Sequence, residues 1–365
     1  MIPPAADLAT SRAQLLSAAE EAGAVLASYL HPRPGPDGEP LSADTARFGA
    51  PIGAARAVVL VSSGLHGVEG HAGNGVQQLL LGSGRLAALP DDVAVVLVHA
   101  VNPYGFAWSR RVDHENIDVN RNFVDYADLP ENPRYADVDP ILNPTELDPD
   151  DRSFLGDLMA FWSEVGDDVA FRTISGGQYS HPRGVQYGGQ GASWSRRTLE
   201  QIWDRELAGA EEAVAIDVHT GLGPLGRLTV FQTADAAEPA AEAGAAWFPE
   251  HIYRADRTGS VDHGLMGPGL DEWAAGRLAT ATFVLEVGTH EPTEGVSVFR
   301  ADNWLHHHGD PSSEVGRRIR QQVRDFFFVD DPGWRTDVAD QVLAAVHTTL
   351  DGVERRQGSG PVGVR

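Results

Sequence analysis

Five short stretches of the chain are nearly continuous apolar runs: "RAVVLVSSG" (56–64), "VAVVLVHAVN" (93–102), "EAVAIDVHTG" (212–221), "RLTVFQTA" (227–234) and "ATATFVLEVGT" (279–289). Runs of this kind mark strands covered on both faces, as in parallel sheets. Between the first two, "HAGNGVQQLLLGSG" reads as a helix. A strand–helix–strand rhythm is that of an α/β fold. Residues 8–30, rich in Ala, Leu and Glu, predict one amphipathic helix ending at the Pro/Gly break "HPRPGPDGEP". Helices are predicted again at 312–328 and 334–356. The expected fold class is α/β, with a mixed, mainly parallel central sheet flanked by helices.

From about 124 to 194 the text is dense in Asp, Pro, Asn and Gly, with one predicted helix near "DRSFLGDLMAFWSEV". Long irregular stretches in compact domains are commonly functional, so this insertion is expected to wall or lid a site. No repeat and no clear linker divides the chain. The organisation expected is a single domain over 1–330, a C-terminal helix over 331–356 packed on it, and a disordered tail over 357–365.

Composition narrows the partners. The 365 residues hold 52 Asp and Glu against 28 Lys and Arg, a formal charge of -24. Such a surface repels phosphate backbones and anionic membranes, which argues against nucleic acid or a membrane as a partner. There is no cysteine, so any metal must be held by His, Asp or Glu. No basic start with an apolar stretch opens the chain, and no apolar run nears the roughly 20 residues of a membrane span. A cytoplasmic location is the expectation.

The polar residues then fall in a telling place. His66 and Glu69 follow the strand at 56–64, Asp217 and His219 end the strand at 212–221, and Glu286 nears the end of the strand at 279–289. Ligands of open α/β sheets bind beyond the carboxyl ends of strands. Two His and one carboxylate are a common ligand set for catalytic zinc, which lowers the pKa of a bound water to about 7 and polarises a carbonyl. His66, Glu69 and His219 are the candidate ligands of one zinc ion per chain, and Glu286 the candidate base.

A lone His-x-x-Glu arises often by chance. Gly70 breaks the His-x-x-Glu-His spacing that "HGVEGH" suggests, which leaves His71 a helix-capping or supporting role. "HHH" at 306–308 reads as a solvated helix end. In "NPYGFAWSRRVDHENIDVNRNF" (102–123), Arg110, Arg111 and Arg121 lie near Asn120 in a chain short of cations. Arginine matches a carboxylate bidentately. Ion pairing with Asp113, Glu115 and Asp118 is the other reading of the same residues.

Taken in order, "HGVE", "NPYGF" followed by arginine, "DVNRNF", "IDVHTG" and "LEVGT" resemble the carboxypeptidase A-like (funnelin) zinc metallopeptidases. They look closest to a bacterial branch near the succinylglutamate desuccinylase/aspartoacylase deacylases. The resemblance covers roughly residues 56 to 295. It implies His66, Glu69 and His219 as zinc ligands, Glu286 as the base that activates water, and Asn120 with Arg121 as the clamp on a substrate carboxylate. Asp118 would hold the first ligand histidine, and Arg111, with Arg110 as the alternative, would stabilise the oxyanion. The family's mobile tyrosine has no clear motif here; Tyr253 is the candidate, with Tyr179 and Tyr187 as rivals. The function implied is a zinc-dependent carboxypeptidase acting on a small peptide with a free carboxylate. An N-acyl-amino-acid deacylase and a non-catalytic binder of peptide termini are the alternatives. No Gly-x-Ser-x-Gly elbow suggests a serine hydrolase. The oligomeric state is not encoded in any of these features.

Overall fold

The computed structural model describes residues 1–235, 238–255 and 262–356. The expected tail at 357–365 lies outside the described residues. Among the described residues eight strands form one sheet: β1 (Val25–Leu30), β2 (Ser42–Gly49), β3 (Ala57–Ser63), β4 (Val93–His99), β5 (Glu212–Leu225), β6 (Leu228–Thr233), β7 (Ile252–Ala255) and β8 (Ala279–Gly288). Their order is β1-β2-β4-β3-β5-β8-β6-β7. The central β4-β3-β5-β8 block is parallel, whereas β1 on β2, β2 on β4 and β6 on β8 pair antiparallel. The sheet is mixed and helices cover both faces.

The apolar runs conceal a strict alternation. On β5, Val214, Ile216 and Val218 enter one core, and on β8 Ala281, Phe283, Leu285 and Val287 enter the same one. Helices Gly70–Gly82 and Pro332–Arg355 cover that face with Val76, Leu80, Val342, Val346 and Leu350. Ala213 and Ala215 turn to the other core, beneath Leu199, Trp203 and Leu270 of helices Trp194–Glu206 and Met266–Ala274. Because side chains on a strand repeat every two residues, Asp217 and His219 continue the face of Ala215. Glu286 continues that of Thr282 and Val284 on β8, and the register sets His219 beside Glu286. Small residues on this face leave room above the sheet.

Two expectations need correcting, and one buried strand was not expected. Residues 8–30 are not one helix: Leu8–Glu21 is helical, capped by Asp7 accepting from Thr10 N at 2.7 Å. Gly23, at φ +81°, then turns the chain into β1. The 124–194 insertion holds three helices, Tyr135–Leu142, Phe154–Val165 and Asp167–Ser175, rather than one. Tyr135, Leu142, Leu158 and Phe161 give it a small core of its own. The strand not expected is β2, which carries little apolar pattern yet is buried. Its Asp44 pairs with Arg12 at 2.7 Å and its Arg47 with Glu206 at 3.0 Å, so burial of the charges is offset by partners far along the chain. Among the described residues no helix is long and apolar enough to cross a membrane.

Candidate active site

At the carboxyl end of β3, Gly64 takes φ +67° and turns the chain sharply out of the sheet. The turn Gly67–Glu69 follows, and there a Cβ on Gly67 would overlap the backbone of Gly105. Two backbone bonds tie this turn to the arginine segment, Gly67 N to Arg111 O at 3.1 Å and Val68 N to Arg110 O at 2.9 Å. The ligand-bearing loop and the arginine-bearing loop are thus built against each other.

The structure brings His66, Glu69 and His219 together, one ligand atom from each lying within 4.8 Å of the others. His66 Nδ1 is 2.9 Å from Glu69 Oε1 and His219 Nδ1 is 3.0 Å from Glu69 Oε2. The opposite ring nitrogens face carboxylates: His66 Nε2 lies 3.2 Å from Asp118 Oδ1, and His219 Nε2 is hydrogen-bonded to Asp217. Ser62 Oγ donates to Asp217 Oδ1 at 2.6 Å, and Thr220 N to Glu69 Oε2 at 3.1 Å. An imidazole that gives its Nε2–H to a carboxylate would turn an Nδ1 lone pair to an ion held here, the tautomer a metal requires. Glu69, Asp118 and Asp217 are all at least nine-tenths buried. So much buried negative charge around two imidazoles calls for a cation, and the donor set fits zinc.

Electrostatics follow the same geometry. Burial alone would raise Glu69, but His66 and His219 outweigh it and bring the carboxyl down to about 2. Asp118 is held well below the usual range as Arg111 and His66 overcome its burial. Burial would lower His219, yet Asp217 and Glu69 raise it well above its ordinary value. Burial, then the charge of Glu69, pushes Glu286 up to about 7; its Oε1 accepts from Leu222 N at 2.8 Å.

A cavity of about 400 Å³ opens beside this cluster. His66, His219, Glu286, Arg111, Asn120 and Arg121 all line it, with Ala215, Thr282 and Gly267 among its small residues. The two neighbouring arginines separate cleanly. Arg110 is consumed by structure: Asp302 at 2.9 Å, Asp113 O at 3.1 Å, His306 Nδ1 at 2.7 Å and Asn116 Oδ1 at 3.2 Å. Arg111 reaches the cavity wall, bonded to Asp118 and 3.3 Å from Gln186 Oε1. Asn120 Oδ1 accepts from Met266 N at 2.9 Å.

Of the tyrosines, Tyr253 lines the cavity and is 59% exposed. Tyr179 is buried and donates to Arg121 O at 2.7 Å, and Tyr187 is buried with its carbonyl accepting from Asp118 N. His71 corrects the expectation of a capping or supporting role. It sits buried in helix Gly70–Gly82 with its ring edge-on to Phe106, away from the cluster of His66, Glu69 and His219. The histidines at 306–308 end a helix, Pro292–His308, but the end is not simply solvated: His306 is half-buried against Arg110. A second group, Asp113, His114 and Glu115, also clusters within 4.8 Å, but Glu115 is exposed and Asp113 Oδ1 is taken by the amides of Glu115 and Ile117.

Sequence reasoning missed the roles of Asp217, Ser62 and Asp262. Asp217 was legible, since residues two apart on a strand share a face. Asp262 meets Arg121 Nη2 at 3.1 Å across 141 residues, and no local pattern announces it.

The chain is similar in structure to several solved proteins. Carboxypeptidase A from Helicoverpa armigera shares 11% identity, with 87% of this chain and 73% of that one covered and a TM-score of 0.48. For the metallo-carboxypeptidase from Burkholderia cenocepacia the values are 14%, 94%, 68% and 0.39. For the succinylglutamate desuccinylase from Chromobacterium violaceum they are 15%, 90%, 74% and 0.38. None of the curated proteins compared with the chain by sequence matches it. Residues 5–341 match the family described as Protein of unknown function (DUF2817), and the chain belongs to that family.

Proposed function

We propose that this chain is a metal-dependent amide hydrolase, a carboxypeptidase that releases a terminal residue bearing a free carboxylate. The observation that carries the reading is the pair of imidazoles, each held by its own aspartate, that converge with Glu69 at the edge of a cavity lined by Glu286 and Arg111. His66, Glu69 and His219 would hold the ion. Zinc bound there supplies Lewis acidity toward water and the substrate carbonyl.

The chain's own groups supply the rest. Glu286 takes the proton of the attacking water and returns it to the leaving nitrogen. Its burial beside the β5–β8 register keeps it near the reacting atoms and away from bulk water. Arg111 donates toward the oxygen on which negative charge develops. Asn120 and Arg121 hold the carboxylate and so fix which amide is presented. Tyr253 stands at the rim over the bound residue.

The test is a mixed pool of peptides and N-acyl amino acids with free carboxylates, incubated with the zinc-loaded chain, with and without chelator, and read by mass spectrometry. Release of terminal residues that stops on chelation is expected. Release of acyl groups alone would shift the reading to a deacylase using the same residues. A chelator-insensitive reaction, or none at all, would overturn it.

A further inference from the structure

Arg111 and Asp118 meet through a single nitrogen. An arginine and a carboxylate favour a parallel two-bond fork, which draws two donor nitrogens onto one carboxylate. Here Nη1 alone is engaged, bonded to Asp118 Oδ2 and 3.3 Å from Gln186 Oε1. The other oxygen of Asp118 is already taken, by His66 Nε2 at 3.2 Å and Asn120 N at 3.0 Å. Nη1 has two protons, and two acceptors use them. Among the described residues Nε and Nη2 of Arg111 meet no acceptor, so a two-donor edge stays open.

Gln186 holds its place under backbone strain. It stands at φ +59°, a region that a residue with a Cβ rarely occupies. The chain on both sides is pinned. Val185 N donates to Asn143 Oδ1 at 3.0 Å, and Tyr187 O accepts from Asp118 N at 2.7 Å. The carbonyl of Gln186 itself accepts from Gln178 N at 3.0 Å. Strain of this kind persists where the surroundings over-determine it, and it gathers at functional sites. Phe299, on helix Pro292–His308, lies with its ring centre 5.4 Å from the guanidinium carbon of Arg111 and covers one side of it. A void of about 20 Å³ beside Arg111 is lined by Gln186, Phe299 and Asn303, among others. The buried Oδ1 of Asn303 has no hydrogen-bond partner among the described residues. A guanidinium released by Gln186 therefore has two places to go, the fork on Asp118 and the acceptor on Asn303.

We propose that Gln186 is a positioning residue for Arg111. By taking one Nη1 proton, it keeps the guanidinium from closing on Asp118 or turning to Asn303, and so leaves Nε and Nη2 for the oxyanion. This rests on the function proposed above, and it gives the 124–194 insertion a part in the chemistry.

Gln186→Met keeps the length of the side chain and removes the acceptor. Gln186→Gly also relieves the positive φ, which guards the test against loss of the fold. With zinc-loaded chain and a substrate cleaved from the peptide pool, kcat should fall roughly tenfold or more in both variants, with KM within about twofold of the wild type. In an Arg111→Ala background the same substitutions should lower kcat no further. An undiminished loss in that background would overturn the proposal, because Gln186 would then act as structure alone. Wild-type kcat in either variant would overturn it too. Labelling of Arg111 by phenylglyoxal, read by peptide mapping, needs no turnover. Gln186→Met should label at Arg111 several-fold more slowly than the wild type, since the open edge closes, with buried Arg110 as the reference. Equal or faster labelling would overturn the proposal. If the wild type cleaves nothing in the pool, slower labelling would still uphold the hold on Arg111 while the hydrolase reading falls.

Discussion

His219 lies between two carboxylates, its Nδ1 3.0 Å from Glu69 Oε2 and its Nε2 bonded to Asp217, two residues earlier on β5. Ser62, paired with Asp217 in the β3–β5 register, fixes the aspartate from the next strand. The ring orientation is therefore set by the sheet. Asp217→Asn should weaken zinc binding roughly 10–100-fold in a competition with a chromophoric chelator. Thermal stability of the metal-free chain should move far less than the affinity does. Unchanged zinc affinity would remove Asp217 from the site.

Glu286→Gln keeps the shape of the side chain and loses its basicity. Zinc content should match the wild type, while turnover falls roughly 10²–10⁴-fold. A variant that retained wild-type turnover would show that another group moves the proton.

Arg110 and Arg111 should fail in different ways. Arg110 and Asp302 form a buried pair, so Arg110→Ala leaves a carboxylate unpaired and should cost roughly 3–5 kcal/mol of stability. Arg111→Ala should lower kcat roughly 10²–10³-fold. Denaturant titration and kinetics on both variants decide the matter, and the reverse pattern would exchange their roles.

Acid should loosen the fold through His99. Its ring is fully buried at the end of β4, with Nδ1 3.3 Å from Gln77 Oε1, and burial lowers its pKa to about 4. Asp44 raises it and Arg12 lowers it, both weakly beside burial. Between about pH 6.5 and 4 the unfolded chain binds a proton that the folded ring refuses. Stability should then fall as pH falls, by roughly 1.4 kcal/mol per unit from this group, and be level above that window. His99→Leu should reduce that slope in denaturation measured at pH 7.5, 6 and 5, whatever its effect on absolute stability. Identical slopes would acquit His99.

The central strands were legible because fully buried strands write continuous apolar text. The residues at their ends were legible for the same reason, since packing alone rarely places a His or Glu at the close of such a run. β2 was not, because its buried positions include Asp44 and Arg47, whose partners lie at 12 and 206. The helix Tyr135–Leu142 was hidden by Pro140 in its interior, and Asp167–Ser175 by Asp167 and Asp168, which suit a first turn as well as a loop. In the site, the grouping of His66, Glu69, His219 and Glu286 could be read from strand ends. The division of labour between Arg110 and Arg111 could not, because it is decided by Asp302 and His306 on a helix nearly 200 residues away.

The two backbone bonds from Gly67 and Val68 to the carbonyls of Arg111 and Arg110 make one cooperative unit of two distant stretches of chain. Opening of either loop breaks the bonds of the other. Their amides should exchange hydrogen in a single event, and the capacity to hold an ion should fray together with the capacity to meet an oxyanion.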